Sequence, residues 1–284
     1  MTDWRDFEAV LAGVVKAGLE EDAVAGDAAT AALPRGGSLA RRAVLAARSR
    51  MVMCGWRAVE EVFRAMGSPV GIERSVPDGS EAPPGAVLGV LSGRADALLG
   101  GERLLLNLVS RLSGIATSTR ELVALVEGTG VEVLDTRKTT PGMRALERYA
   151  VRCGGGVNHR FDLASMAMFK DNHWTAAGGI RGISEAVRTA REAGLAVEIE
   201  IDSADLLRPV MDLHPQRILL DNMSPAAVGA AAAAATGSGI YLEASGGIRP
   251  SNARAYAETG VDGISAGWIT HSAPAADVAL DWEA

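Results

Sequence analysis

The sequence predicts an α/β fold built on a parallel sheet, either open and doubly wound or closed into a barrel. Three observations carry that expectation. From about residue 128 onward, short β-rich runs alternate with amphipathic or alanine-rich helical runs. The helical runs carry capping and stop signals at their ends. Each β-rich run closes on charged, polar or glycine residues, where the carboxyl ends of parallel strands gather their chemistry.

Taken in order, the first hundred residues differ from the rest. They predict a helix near Trp4–Ala17, a polar turn at Gly26-Asp27, β-like stretches, and a helix around Arg57–Met66. Proline and glycine cluster at Pro77–Gly85, a loop composition. A long apolar helix over Leu98–Val126 leads into the alternating part. The predicted strands there are Val131–Asp135, Met166–Lys170, Ala196–Ile201, Arg217–Leu220, Ile240–Glu243 and Gly263–Ala266. Gly194 stops one intervening helix. Ser224 and Pro225 supply an N-cap and first position for the alanine-rich run Ala226–Ala235, which Gly237 ends. Pro250 and Gly260 bracket another helix, and no internal repeat is present.

Composition narrows the class. Of 284 residues 48% are hydrophobic, which excludes a disordered chain. No apolar run reaches the roughly 18 residues of a membrane span, and the N-terminus is too acidic for a signal peptide. A net charge of −7 argues against a nucleic-acid binder working through a basic face. Two cysteines, Cys54 and Cys153, preclude a four-cysteine zinc site. The expectation is a cytoplasmic protein that binds neither membrane nor nucleic acid.

The strand ends hold three clusters. Arg137, Lys138, Arg160 and Lys170, with His159, would place several positive charges in one cleft of an acidic protein, and such a cleft calls for a multiply anionic ligand. Two of the chain's three lysines lie here. Glu198, Glu200 and Asp221 are carboxylates suited to Mg2+, and the lack of histidine among them argues against a transition-metal site. Ser245-Gly246-Gly247 and Ala266-Gly267 end the last two strands as a phosphate cradle. His173 and His271 read as structural.

At these residues the chain resembles a known family. LDTRKTTPGMRALERYAVRCGGGVNHR (134–160), FKDNH (169–173), LLDNMSP (219–225), LEASGGI (242–248) and YAETGVDGISAGWITHSAP (256–274) are similar to quinolinate phosphoribosyltransferases. ERLLLNLVSRLSGIAT (102–117) follows the same pattern, and Gly26-Asp27 with Thr30 follows it weakly. The resemblance implies an N-terminal α/β sandwich domain (1–110), an open, TIM-like α/β barrel (111–267) and a C-terminal tail (268–284) packing back on the first domain. It implies Mg2+-dependent transfer of a phosphoribosyl group from phosphoribosyl pyrophosphate to quinolinate, with release of pyrophosphate and CO2, in NAD biosynthesis. Arg137, His159 and Arg160 would hold the quinolinate carboxylates, joined by Arg103 from the other subunit of a homodimer. Lys138 and Lys170 would contact phosphates and the reacting carboxylate. Glu200 and Asp221 would meet the ribose hydroxyls and Mg2+. Ser245, Gly246, Gly247, Ala266 and Gly267 would hold the 5′-phosphate, with Thr136 and Ser265 completing the substrate-binding set.

The chain departs from the family pattern at Trp174, Trp268 and Leu104, which would narrow the pocket or shift it toward a related pyridine carboxylate. Two other classes fit parts of the sequence. A Schiff-base aldolase would use Lys170 as nucleophile but has no need of the paired Arg137-Lys138 and His159-Arg160 motifs. A non-catalytic protein binding a phosphate ligand has no need of the carboxylates.

Overall fold

A computed structural model describes residues 4–33 and 39–283, so the expected outer limits at residues 1 and 284 lie outside the described residues. The chain divides into two compact units. The first holds residues up to 120, 139–155 and those from 269 onward; the second holds 121–138 and 156–268.

The first unit begins with helices α1 (Trp4–Glu21) and α2 (Ala28–Ala31), strands β1 (Ala40–Ala47) and β2 (Met51–Val52), and helix α3 (Trp56–Ala65). Strands β3 (Gly71–Arg74), β4 (Glu81–Ala82) and β5 (Val87–Arg94) follow, and then the long helix α4 (Ala95–Leu125). Its main sheet is antiparallel, with β5 between β1 and β3 and the C-terminal strand Val278–Trp282 on the outer edge of β1. Helix α3 buries Trp56, Val59, Val62 and Phe63, one face of an amphipathic helix. Leu104, an expected pocket residue, is instead buried against Gly18 of α1, a position where a Cβ would collide with the leucine methyls.

The second unit supplies β6 (Glu132–Leu134), and the chain then passes through α5 (Arg144–Cys153) before β7 (Ala167–Phe169), α6 (Asp171–Ala177) and α7 (Ile180–Glu192). After these come β8 (Val197–Ile201), α8 (Leu207–Met211), β9 (Arg217–Asp221), α9 (Pro225–Ala235), β10 (Tyr241–Ser245), α10 (Ala253–Ala257) and β11 (Gly263–Ser265). Helix α11 (Trp268–His271) and β12 (Val278–Trp282), the edge strand already described, end the chain.

All six predicted strands form, and they pair in parallel in the order β6-β11-β10-β9-β8-β7. Strands β7 to β11 are neighbours in sequence order, and β11 returns to β6, so the sheet curls round instead of reversing as a doubly wound sheet does. The other edge of β6 carries a single bridge, Leu134 to Val157, and does not pair with β7. The fold is thus an open barrel.

The limit expected at 110 falls inside α4, and α5 lies in the first compact unit. Arg111 of α4 explains this: its guanidinium donates to the buried Glu147 carboxylate of α5 at 2.7 Å and to the Thr270 carbonyl at 2.8 Å. The helix expected from Pro250 begins only at Ala253. Asn252 accepts the Arg249 N–H at 2.9 Å and donates to the Gly247 carbonyl, a local turn that competes with helix. The cap at α9 forms as predicted, with the Ser224 hydroxyl accepting the Ala227 N–H at 3.3 Å. Among the described residues no helix is long and apolar enough to cross a membrane.

Candidate active site

A cavity of about 440 Å³ opens at the carboxyl ends of the second unit's strands. Thr136, Arg137, Lys138, His159, Arg160, Lys170, Glu200, Asp221, Ser245, Gly246, Gly247 and Ser265 all line it. Short strands with alternating side chains achieve this, because residues two apart along one strand share its inward face. On β8 the inward pair is Glu198 and Glu200; on β9 it is Arg217 and Asp221, flanking Leu219; on β10 it is Glu243 and Ser245.

The cations dominate one side. Arg137 has a buried Nε with no hydrogen-bond partner among the described residues. Burial, and after it the charge of Arg137, lower the pKa of Arg160. A dianion between them would relieve both effects. Lys170 Nζ lies 2.7 Å from Glu200 Oε2. Burial pushes the Glu200 carboxyl up despite that lysine, and the charges of Asp221 and Asp171 add to the rise. This surplus of negative charge on oxygen ligands at adjacent strand ends fits Mg2+, which takes one or two carboxylates and completes its shell from water and substrate.

Beneath the cavity lies a second, buried layer that the sequence did not reveal. The Asp135 carboxylate accepts the His159 N–H at 2.8 Å and Asn158 Nδ2 at 2.6 Å, fixing the loop that follows the glycines. His159 Nε2 lies 3.0 Å from Glu198 Oε2 and 3.3 Å from Glu243 Oε2, and Nδ1 accepts the Arg160 N–H at 2.7 Å. Arg217 reaches Glu243 at 2.8 Å, and its guanidinium stacks 4.0 Å from the centre of the Tyr241 ring. Burial opposes charging of His159, but the two glutamates outweigh it and raise its pKa from 6.5 to about 9. Burial also opposes ionisation of Glu243, yet His159 and Arg217 hold that carboxyl below its usual value.

This layer corrects one expectation. Glu198 does not join Glu200 and Asp221 as a metal ligand; it is fully buried beside His159. Although the ligand atoms of His159, Glu198 and Glu243 lie within 4.8 Å of one another, the His159 ring and the Arg217 guanidinium already engage the two carboxylates. His159 borders the cavity with both ring nitrogens engaged by protein, so it holds the backbone that presents Arg160. The alternation rule was the available signal for Glu243 and Arg217, each an inward partner of an identified strand-end residue.

Other predicted residues stand apart. Ala266 is buried, and neither it nor Gly267 lines the cavity, which ends at Ser265 on that strand. Trp174 donates to the Glu200 carbonyl at 3.2 Å, and neither it nor Trp268 lines the cavity, so the expected narrowing is absent. His173 accepts the Lys170 N–H at 3.0 Å, as its structural reading required. Arg103 is exposed on α4 and is not among the lining residues.

An open α/β barrel with cations, carboxylates and a glycine turn converging at its strand ends defines an enzyme of the phosphoribosyl-transferring, barrel-fold class. Comparison with known proteins narrows this. The C-terminal domain of quinolinate phosphoribosyl transferase matches residues 115–281 and its N-terminal domain matches residues 27–113. The chain belongs to the quinolinate phosphoribosyl transferase family. It is 42% identical over 242 residues to the probable nicotinate-nucleotide pyrophosphorylase [carboxylating] of Bacillus subtilis, covering 84% of this chain and 82% of that one. It is 36% identical to the human nicotinate-nucleotide pyrophosphorylase [carboxylating], covering 84% and 81%. The solved nicotinate-nucleotide pyrophosphorylase from Francisella tularensis superposes with a TM-score of 0.91 at 34% identity, over 97% of this chain and 96% of that one.

Proposed function

We propose that this chain transfers the phosphoribosyl group of phosphoribosyl pyrophosphate to quinolinate, giving nicotinate mononucleotide, pyrophosphate and CO2. The observation that carries the reading is the pair Arg137 and Arg160, the first with a buried Nε that has no hydrogen-bond partner among the described residues, lining one cavity together with the carboxylates Glu200 and Asp221. Arg137 and Arg160 hold the two carboxylates of the pyridine, with Lys138 at the exposed side. Ser245, Gly246 and Gly247, with Ser265, receive the 5′-phosphate through backbone N–H and hydroxyl groups.

The chemistry asks for these groups. The ring nitrogen bonds to C1 of the ribose as the C1–pyrophosphate bond breaks. Positive charge develops on the sugar, where Glu200 and Asp221 favour it, and negative charge leaves with the pyrophosphate toward Lys138 and Lys170. Loss of CO2 leaves an electron pair on the ring carbon beside the nitrogen, which takes up a proton, and the fixed guanidinium groups offset that charge. Glu200 and Asp221 would hold Mg2+, which when bound neutralises charge on the pyrophosphate. The enzyme works as a homodimer, with Arg103 delivered to the partner's cavity, and acts in the cytoplasm.

The test is direct: purified protein with quinolinate, phosphoribosyl pyrophosphate and Mg2+ is followed for nicotinate mononucleotide and CO2 released in equal amounts. Release of neither product, with a related pyridine carboxylate turned over instead, would replace the substrate and keep the reaction class.

A further inference from the structure

The chain's two cysteines lie outside the cavity and far apart in sequence. The first unit nonetheless brings them together: both sulfur atoms and a carboxylate oxygen of Asp78 lie within 4.8 Å of one another. Cys54 precedes α3 and is fully buried, whereas Cys153, the last residue of α5, is partly exposed. Their segments are held firmly. Asp78 Oδ1 accepts the N–H groups of Gly55 and Trp56 at 3.0 and 3.4 Å, and Oδ2 accepts the Tyr149 hydroxyl at 2.8 Å. Arg120 donates to the carbonyls of Gly154 at 3.0 Å and of Cys153 and Gly79 at 3.3 Å.

The geometry points to a reversible dithiol–disulfide site, in which a hydroperoxide oxidises Cys153 and Cys54 resolves the product. The two thiols are unequal in the sense this requires. Burial and the Cys153 sulfur push the Cys54 thiol up, while the hydrogen bond from Cys54 pulls Cys153 down against its partial burial. The accessible sulfur is therefore the readier thiolate and the buried one the proton-bearing partner. In the first step the Cys153 thiolate attacks the O–O bond. Its sulfur loses two electrons and becomes a sulfenic acid, and the hydroperoxide is reduced to water or an alcohol. In the second step the Cys54 sulfur displaces the hydroxyl, which leaves with the Cys54 proton as water, and the S–S bond forms. A resolving thiol this close intercepts the sulfenic acid before it reaches the irreversible sulfinic stage. A thiol reductant restores both cysteines.

The experiment is intact-protein mass spectrometry of the native enzyme treated with hydrogen peroxide, followed by denaturation and alkylation. Wild type should lose the mass of two hydrogens, take up no alkylating agent, yield a Cys54–Cys153 linked peptide, and regain both thiols with dithiothreitol. Cys54→Ser should accumulate dimedone-reactive sulfenic acid and then gain further oxygen, whereas Cys153→Ser should stay unmodified under the same treatment. Should either variant fail to fold, the wild-type linked peptide decides alone. Oxygen added to Cys153 while Cys54 remains alkylatable overturns the proposal. Stoichiometric zinc in the purified, reduced protein overturns it as well, in favour of a metal–thiolate site.

Discussion

Under the proposed function, Arg137 and Arg160 set the selectivity of the cavity. Both are cations, Arg137 bears a buried Nε with no hydrogen-bond partner among the described residues, and burial together with the charge of Arg137 lowers the pKa of Arg160. A pyridine with two carboxylates compensates both. Nicotinic acid supplies only one, leaving a buried cation unpaired, so its kcat/KM should fall by on the order of 10³-fold or more relative to quinolinate. Steady-state comparison of the two acids measures this, and similar values would remove the dicarboxylate reading. Gly246 sets a second constraint at single-residue scale. Its φ is +92°, and an added Cβ would overlap the Asn222 side chain and sit 2.7 Å from the Asn222 backbone nitrogen. Gly246→Ala should raise KM for phosphoribosyl pyrophosphate by roughly tenfold through strain of about 1–3 kcal/mol, with KM for quinolinate little changed. An equal rise in both constants would place the effect elsewhere than the phosphate turn.

At the scale of elements, strand alternation builds two layers from the same strands. The upper layer, Glu200, Asp221 and Ser245, faces the cavity; the lower, Glu198, Arg217 and Glu243, is buried within the barrel, with Glu243 also reaching the cavity wall. Removing one charge from the lower layer leaves others buried and unpaired, so Glu243→Gln should cost about 3 kcal/mol in urea unfolding. The pH dependence follows from the shifts. His159, raised from 6.5 to about 9, contributes stability that is complete below its unfolded value and is lost as pH rises through about 9. That rise corresponds to roughly 3 kcal/mol, an upper bound because protonation must break the bond from the Arg160 N–H to Nδ1. Glu243, held low, contributes above its unfolded value and loses its contribution as pH falls. In Glu243→Gln the alkaline loss of stability should therefore begin at lower pH than in wild type. Identical alkaline profiles for the two proteins would show that His159 does not titrate with this layer.

For the whole molecule, the path of the chain matters more than any single contact. Residues 139–155 and those from 269 onward belong with the first unit, although the sequence between them builds the second. Every cavity-lining residue lies in the second unit, and Arg103 lies in the first. If Arg103 serves the partner's cavity, Arg103→Ala and Lys138→Ala homodimers should each be nearly inactive. After subunit exchange, random pairing makes about half of the dimers mixed, each with one intact site, so about a quarter of wild-type activity should return. Demonstrated exchange without recovered activity would remove Arg103 from the shared site.

What the sequence determined by itself was the part carried by local pattern. Six β-rich runs with helical spacers were enough to place every barrel strand to within a residue or two, and the Ser224-Pro225 cap was legible because capping is decided by adjacent residues. The strand-end residues Arg137, Lys138, Arg160, Lys170, Glu200 and Asp221 were legible for a related reason: parallel strands must deliver their ends to one rim. Tertiary structure decided what depends on partners distant in the chain. Whether the sheet curled round or stayed flat turned on β11 pairing with β6, more than a hundred residues earlier in the chain. The buried pairing of Glu198 and Glu243 with His159, and the removal of Trp174, Trp268 and Leu104 from the pocket, likewise turned on packing between elements. A charged side chain carries the same letter whether it meets solvent, substrate or a buried counter-charge. Only the folded chain, by bringing His159 between two glutamates and fixing Arg217 against one of them, assigned those letters to support and left the arginines above them for the substrate.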